Sequence, residues 1–259
     1  MLPNRHWYRN LLFEDGYVRR VVATQGSNEE AKAALLLSWL QGHYKPDLLS
    51  AKSEGQLEHT FVQPLLEILE WHLITRPQLT IQGKYQIPDW ALCLTAEDTD
   101  RFSLHPDDPQ LQLDSIEVIL EAKAYGVDLD KSTGPKERSP HEQLMEYLRL
   151  TRKTRGFLTD GRYWRFYDLE TITREKAYFE LDIEAILQLQ DRRVQLQAMG
   201  VFRLLFAHES YSLPAGSSLR ACPKTKLNAA AVGVRRRCRS WFRTMYGVTR
   251  NLWRVAWTS

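Results

Sequence analysis

The chain has 259 residues, 43% of them hydrophobic and 26% charged, which suits a globular protein with one substantial core or one domain plus appendages. No apolar run approaches the roughly 18 residues of a spanning helix, so no membrane segment is expected, and Cys93, Cys222 and Cys238 are too few and too scattered for a disulfide framework or a zinc site. The net charge of +3 is uneven: residues 1–211 hold 25 of the 35 basic and all 32 acidic side chains, a surplus of seven negative charges, whereas residues 212–259 hold 10 basic side chains and no acidic one.

Residues 1–50 read as a mostly helical N-terminal extension. Asn28 is a candidate N-cap, with Glu29 and Glu30 favouring the positive end of the helix dipole. Ala33, Leu36, Leu37 and Leu40 then form an apolar face that ends near Gly42, and Lys45-Pro46-Asp47 reads as a break. Ser53 caps the next helix. Leu57, Phe61, Leu65, Leu66, Leu69 and Leu73 recur along one side of it, and Pro64 divides or kinks it.

After Pro77 the pattern turns to strands, over Leu79–Gln86 and Trp90–Thr95. Residues 97–114 are polar and read as a loop. Ile116–Lys123 alternates strongly and is the clearest strand. Residues 124–139 form another polar loop. Ser139 and Pro140 then open a helix running to about Lys153, and Gly156–Asp168 reads as a hairpin turning at Asp160-Gly161. Residues 182–207 are expected to be one long helix. The alternation of helices and strands argues for an α/β fold with a central mixed β-sheet flanked by helices.

One constellation carries chemistry. Glu121-Ala122-Lys123 follows Pro88-Asp89 at a spacing of 32 residues from Asp89 to Glu121, and Glu121 and Lys123 leave the same face of a strand. Two carboxylates with a nearby ammonium suit phosphodiester hydrolysis. The carboxylates would hold a hard divalent cation, and the lysine would position water or offset phosphate charge. His59, His72, His105, His141 and His208 show no metal-ligand spacing, and there is neither a Gly-rich phosphate loop nor an Asn-Pro-Pro-Tyr element of methyltransferases.

These residues resemble the signature of the PD-(D/E)XK nuclease superfamily. Gln143-Leu-Met-Glu-Tyr147 resembles the Gln-x-x-x-Tyr element of several branches, and Ser53–Glu58 with Phe61–Glu67 resembles their first core helix. The stretch from Ser53 to Asp168 is similar to the N-terminal nuclease domain of type IIG restriction-modification and type I restriction enzymes. The resemblance implies a restriction-endonuclease-like core over residues 51–181. Asp89 and Glu121 would be metal ligands, Lys123 the catalytic lysine, and Gln143 and Tyr147 supporting residues. Glu54 or Glu58, four apart on one helix face, would add a further acid, and the sequence does not choose between them. It further implies Mg²⁺, with Mn²⁺ as a substitute, and DNA as the partner, bound through a transient dimer.

Lys131, Lys136 and Arg138 in the loop after Lys123, and Arg152, Arg155 and Arg162 further on, are candidates for phosphate contacts. Residues 182–211 would be a connecting helix and 212–259 a basic tail, disordered or the product of a shifted frame. In that case methyltransferase and target-recognition domains would be missing. Met1–Asn10 lacks the apolar centre of a signal peptide, so a cytoplasmic location is expected. A non-catalytic nucleic-acid-binding module or an inactive remnant is the alternative.

Overall fold

The computed structural model describes residues 5–13, 27–81, 84–132, 134, 137–170 and 177–212. The expected contacts of Lys136 and the basic tail beyond Ser212 lie outside these residues. Among the described residues, no helix is long and apolar enough to cross a membrane.

The fold is α/β, with a seven-stranded mixed sheet between two apolar layers. Its strands are β1 (Tyr8–Asn10), β2 (His72–Thr75), β5 (Trp90–Cys93), β6 (Val118–Ala122), β7 (Arg155–Thr159), β8 (Tyr163–Asp168) and β9 (Phe179–Asp182), in the order β1-β9-β8-β7-β6-β5-β2. All neighbours are antiparallel except β6 and β7. A parallel pair needs a crossover, here supplied by helix α7 (Pro140–Thr151). Two further strands, β3 (Leu79–Ile81) and β4 (Lys84–Gln86), form a separate hairpin between β2 and β5.

The strand period divides the core. Val118, Leu120 and Ala122 point into one layer, with Phe157, Trp164 and Phe166. Against them pack α1 (Ser27–His43), the helical stretch α3 (Glu54–Leu57) to α4 (Gln63–Ile68), and α9 (Arg192–Phe206). Ile119 and Leu158 point to the other side, where α7 supplies Leu144, Met145, Tyr147 and Leu148. Every residue of β6 is buried, so this strand lies at the centre of the molecule.

Several elements follow the sequence reading closely. Ser53 forms a capping box with Gln56, and Ser139 one with Glu142. A π-turn over Glu58–Val62 separates α3 from α4 and ends just before Pro64, whose ring nitrogen has no hydrogen to donate. The β7–β8 hairpin turns at Asp160–Arg162, with Gly161 at φ 86°, a conformation glycine adopts freely.

Other expectations are corrected. The N-terminal segment is helical over Ser27–His43 and Pro46–Ser50, but residues 5–13 hold only a 3₁₀ turn at Arg5–Trp7: β1 pairs with β9 at the sheet edge, and Trp7, Leu12 and Phe13 join the main core. The α1 helix begins at Ser27, so Asn28 lies within its first turn. Pro46 opens a short helix, α2 (Pro46–Ser50), because proline suits a first turn. Leu73 belongs to β2. Residues 97–114 are mostly helical: α5 (Ala96–Leu104) is capped by Thr95 and α6 (Pro109–Ser115) by Asp108, so the Asp residues that suggested a loop start helices instead.

Residues 182–211 are not one long helix. Asp182 caps α8 (Ile183–Leu187), the chain turns through Gln188–Gln190, and Asp191 caps α9 afresh. Helix α9 packs on α1, and Trp71 Nε1 donates to the Phe206 carbonyl at 2.6 Å. This segment closes the main core instead of leading away from it.

Gly156 lies where α7 crosses β7. A Cβ there would stand 2.9 Å from Leu148 Cδ1 and 3.2 Å from Leu144 Cδ1, and both leucines are fully buried. Gly156→Ala is therefore expected to lower the stability read by urea denaturation by about 1–3 kcal/mol, the usual cost of overpacking. An unchanged midpoint would show that α7 can move off the sheet.

Candidate metal-binding active site

The site forms at one end of the sheet, where β5 starts and β6 ends. The β5–β6 register pairs Trp90 with Leu120, so Asp89 stands one step further on, beside Glu121. Asp89 Oδ2 accepts a hydrogen bond of 2.8 Å from the Ala122 backbone N–H. This side-chain bond continues the ladder past the last β5 residue. Lys123 lies just beyond the strand, its N–H donating to the Thr159 carbonyl at 2.8 Å, so β7 fixes the lysine's backbone too.

Helix α3 approaches from the opposite layer. Glu54 Oε2 accepts from the Ala124 N–H at 3.3 Å. One helical turn later, Glu58 is buried at the start of the π-turn. Glu54, Glu58 and Asp89 each offer an oxygen, and these oxygens lie within 4.8 Å of one another. This cluster of three acids could hold a metal ion. The sequence left Glu54 and Glu58 as alternatives; the structure brings both to Asp89. The π-turn does not separate them, because it begins only at Glu58.

Glu121 is engaged differently. Its Oε1 accepts a 2.6 Å hydrogen bond from Lys123 Nζ, which also stands 3.8 Å from Glu54 Oε1. It is outside the three-acid group, though it borders Asp89. Its other oxygen, Glu121 Oε2, is buried without a hydrogen-bond partner, and so is Glu58 Oε1. Buried carboxylate oxygens left unsatisfied cost free energy. A hard cation held by the three acids could take Glu58 Oε1 as a ligand, so that donor set fits such an ion.

Burial and mutual repulsion perturb Glu58, Asp89 and Glu121. Burial and the neighbouring Asp89 push the Glu58 carboxyl up to about 7 and that of Glu121 up to about 8. Asp89 is raised as well, mainly by burial and against the Ala122 hydrogen bond. For Lys123, burial acts to lower the pKa, but Glu121, Asp89 and Glu54 together outweigh it and raise the value. Lys123 is thereby kept as a cation.

Gln143 and Tyr147 lie on the α7 face nearest this end. Gln143 Nε2 donates to Tyr147 OH at 3.0 Å, and Tyr147 OH donates to the Ile87 carbonyl at 3.4 Å. Tyr147 thus braces the chain just before Pro88-Asp89. Burial and the nearby Glu121 raise its pKa.

The candidate phosphate contacts divide. Arg155 is bound to Glu117 at 2.7 Å, and Arg162 to Asp182 and Glu184, each at 2.8 Å. Arg138 pairs with Glu146, and Lys131 pairs with Asp128 at 2.8 Å while remaining exposed. Arg152 is exposed at the end of α7. Arg155 and Arg162 are thus part of the framework, a role their sequence positions did not signal. Comparison with protein-family models, with curated proteins and with solved structures finds no match to this chain.

The raised carboxyls set a pH dependence. A carboxyl whose pKa is higher folded than unfolded binds its proton more tightly in the folded state. Its contribution is fully present below the ordinary value of 4.5 and is lost as pH rises through about 7 for Glu58 and about 8 for Glu121. In chelator, the Tm of the wild-type chain is expected to fall between about pH 5.5 and about pH 8.5, and Glu58→Gln to flatten part of that fall. Identical pH profiles for the two proteins would show that Glu58 ionises freely.

Proposed function

We propose that this chain is a metal-dependent endodeoxyribonuclease domain with a PD-(D/E)XK-type centre, using Mg²⁺ or, in its place, Mn²⁺. One observation carries the reading. Asp89, Glu54 and Glu58 converge beside the Glu121–Lys123 pair, and two buried carboxylate oxygens there lack partners. The mixed sheet flanked by helices is in keeping with a restriction-endonuclease-like core.

A divalent cation at the acidic group would supply Lewis-acid polarisation of the scissile phosphate. Asp89, Glu54 and Glu58 would hold it, with Glu121 at its border. Lys123, kept protonated by its carboxylate neighbours, would offset the negative charge that grows on the phosphate during attack by water. Gln143 and Tyr147 would keep the Asp89 segment in place through the Ile87 carbonyl. The reading commits to no base sequence. Cutting both strands would take two copies of the site, hence a transient dimer on DNA.

The test is nicking of supercoiled plasmid by the full chain with Mg²⁺ or Mn²⁺. Cleavage is expected from the wild type, with Asp89→Ala and Lys123→Ala slower by roughly 10²- to 10⁴-fold. Plasmid left intact by a folded wild-type protein would sink the catalytic reading. Salt-sensitive DNA binding without cleavage would point to a binding module instead.

A further inference from the structure

A residue that the sequence did not single out stands at the rim of this group. Arg76 follows β2 directly, with φ at 47°, the left-handed region that favours glycine over a long side chain. Its backbone N–H donates to the Asp89 carbonyl at 2.8 Å, which anchors it beside the cluster. Its Nη2 lies 3.9 Å from Glu58 Oε1, the same buried oxygen that has no hydrogen-bond partner. The Arg76 side chain is 63% exposed, while that of Glu58 is 5% exposed.

The contrast with the other arginines is chemical. Arg155 donates to Glu117 at 2.7 Å, Arg162 makes three hydrogen bonds to Asp182, and Arg165 grips both oxygens of Asp130 at 3.1 and 3.0 Å. Arg76 leans on the Glu58 charge without a hydrogen bond to fasten it. Its backbone is anchored and its guanidinium is free to turn into solvent.

We propose that Arg76 and a divalent cation exchange at Glu58: the guanidinium neutralises Glu58 when the cation is absent, and turns to a substrate phosphate when the cation takes its place. The proposal rests on the metal-dependent reading of this site. Arg76 Nη2 already stands 3.9 Å from Glu58 Oε1, and a cation bound at that oxygen would repel it. The displaced guanidinium remains tethered next to Asp89, at the mouth of the site. Its planar fork matches two phosphate oxygens, which a lysine's point charge does not. The same side chain would thus keep the empty site from accumulating uncompensated charge and would mark the filled site as ready for an anion.

The experiment measures Mn²⁺ affinity of the full chain by titration calorimetry, and plasmid cleavage at saturating Mn²⁺, for the wild type, Arg76→Gly, Arg76→Lys and Glu58→Gln. Glycine accepts the positive φ, so Arg76→Gly removes the side chain without straining the backbone. It is expected to bind Mn²⁺ roughly tenfold tighter, since a competing charge is gone, yet to cleave at least about tenfold more slowly. Arg76→Lys should fall between it and the wild type, and Glu58→Gln should bind Mn²⁺ weakly. Arg76→Gly protein that binds Mn²⁺ no tighter than wild type, or that cleaves at the wild-type rate, overturns the exchange alone. A wild-type chain that takes up no Mn²⁺ overturns the metal site, and the exchange with it.

Discussion

The hydrogen bond from the Ala122 N–H to Asp89 Oδ2 is a small interaction on which much of the arrangement depends. A β-ladder normally continues by backbone pairing. Here an aspartate side chain takes over as acceptor at the residue before β5 begins. That substitution fixes Asp89 against the strand that carries Glu121 and leads into Lys123. The remaining supports follow from it: the Asp89 carbonyl accepts from Arg76, and Ile87, two residues earlier, accepts from Tyr147. Because β6 is buried on both faces and parallel to β7, its end cannot shift without disturbing the core.

The fold holds these charges together against their own repulsion. Four carboxylates, from Glu54, Glu58, Asp89 and Glu121, face two cations, Lys123 and Arg76, and only Lys123 makes a close ion pair. One buried charge elsewhere is fully paired. Arg165 is 5% exposed and meets Asp130, Glu180 and the face of Tyr178. Against that pairing, the deficit at the acidic cluster is in keeping with a group that could hold a metal ion.

How far the sequence could lead depended on how local each signal was. The strands β5 and β6, the capped helix α7 and the β7–β8 hairpin were all legible, because alternation, Ser139-Pro140 and Asp160-Gly161 act within a few residues. Strands β1 and β9 were not. Each is short; β1 exists by pairing with β9 across the length of the chain, and β9 lies between β1 and β8. The Asp-rich stretch misled because Asp108 favours turns and helix caps alike, and only neighbouring packing decides between them. At the site, Asp89, Glu121 and Lys123 could be named from spacing. That both Glu54 and Glu58 reach Asp89 depends on a helix from another layer. The role of Arg76 depends on a backbone angle, which side-chain pattern does not encode.

The fate of the basic residues narrows where an anionic substrate could lie. Arg155 and Arg162, which a charge count places among the binding residues, are absorbed by Glu117, Asp182 and Glu184. They join sheet strands to one another and to α8. Residues 126–130 of the loop after Lys123 are tied down as well. Leu129 is buried, Asp130 is gripped by Arg165, and the Gly126 N–H donates to Asp160. With that loop and those arginines fixed, the cations still able to turn outward beside the acidic cluster come chiefly from its own rim, where Arg76 is held by its backbone and not by its guanidinium. Among the described residues, a cation held by its backbone at the rim of the acidic cluster would favour an anion delivered to that cluster over one spread across the sheet.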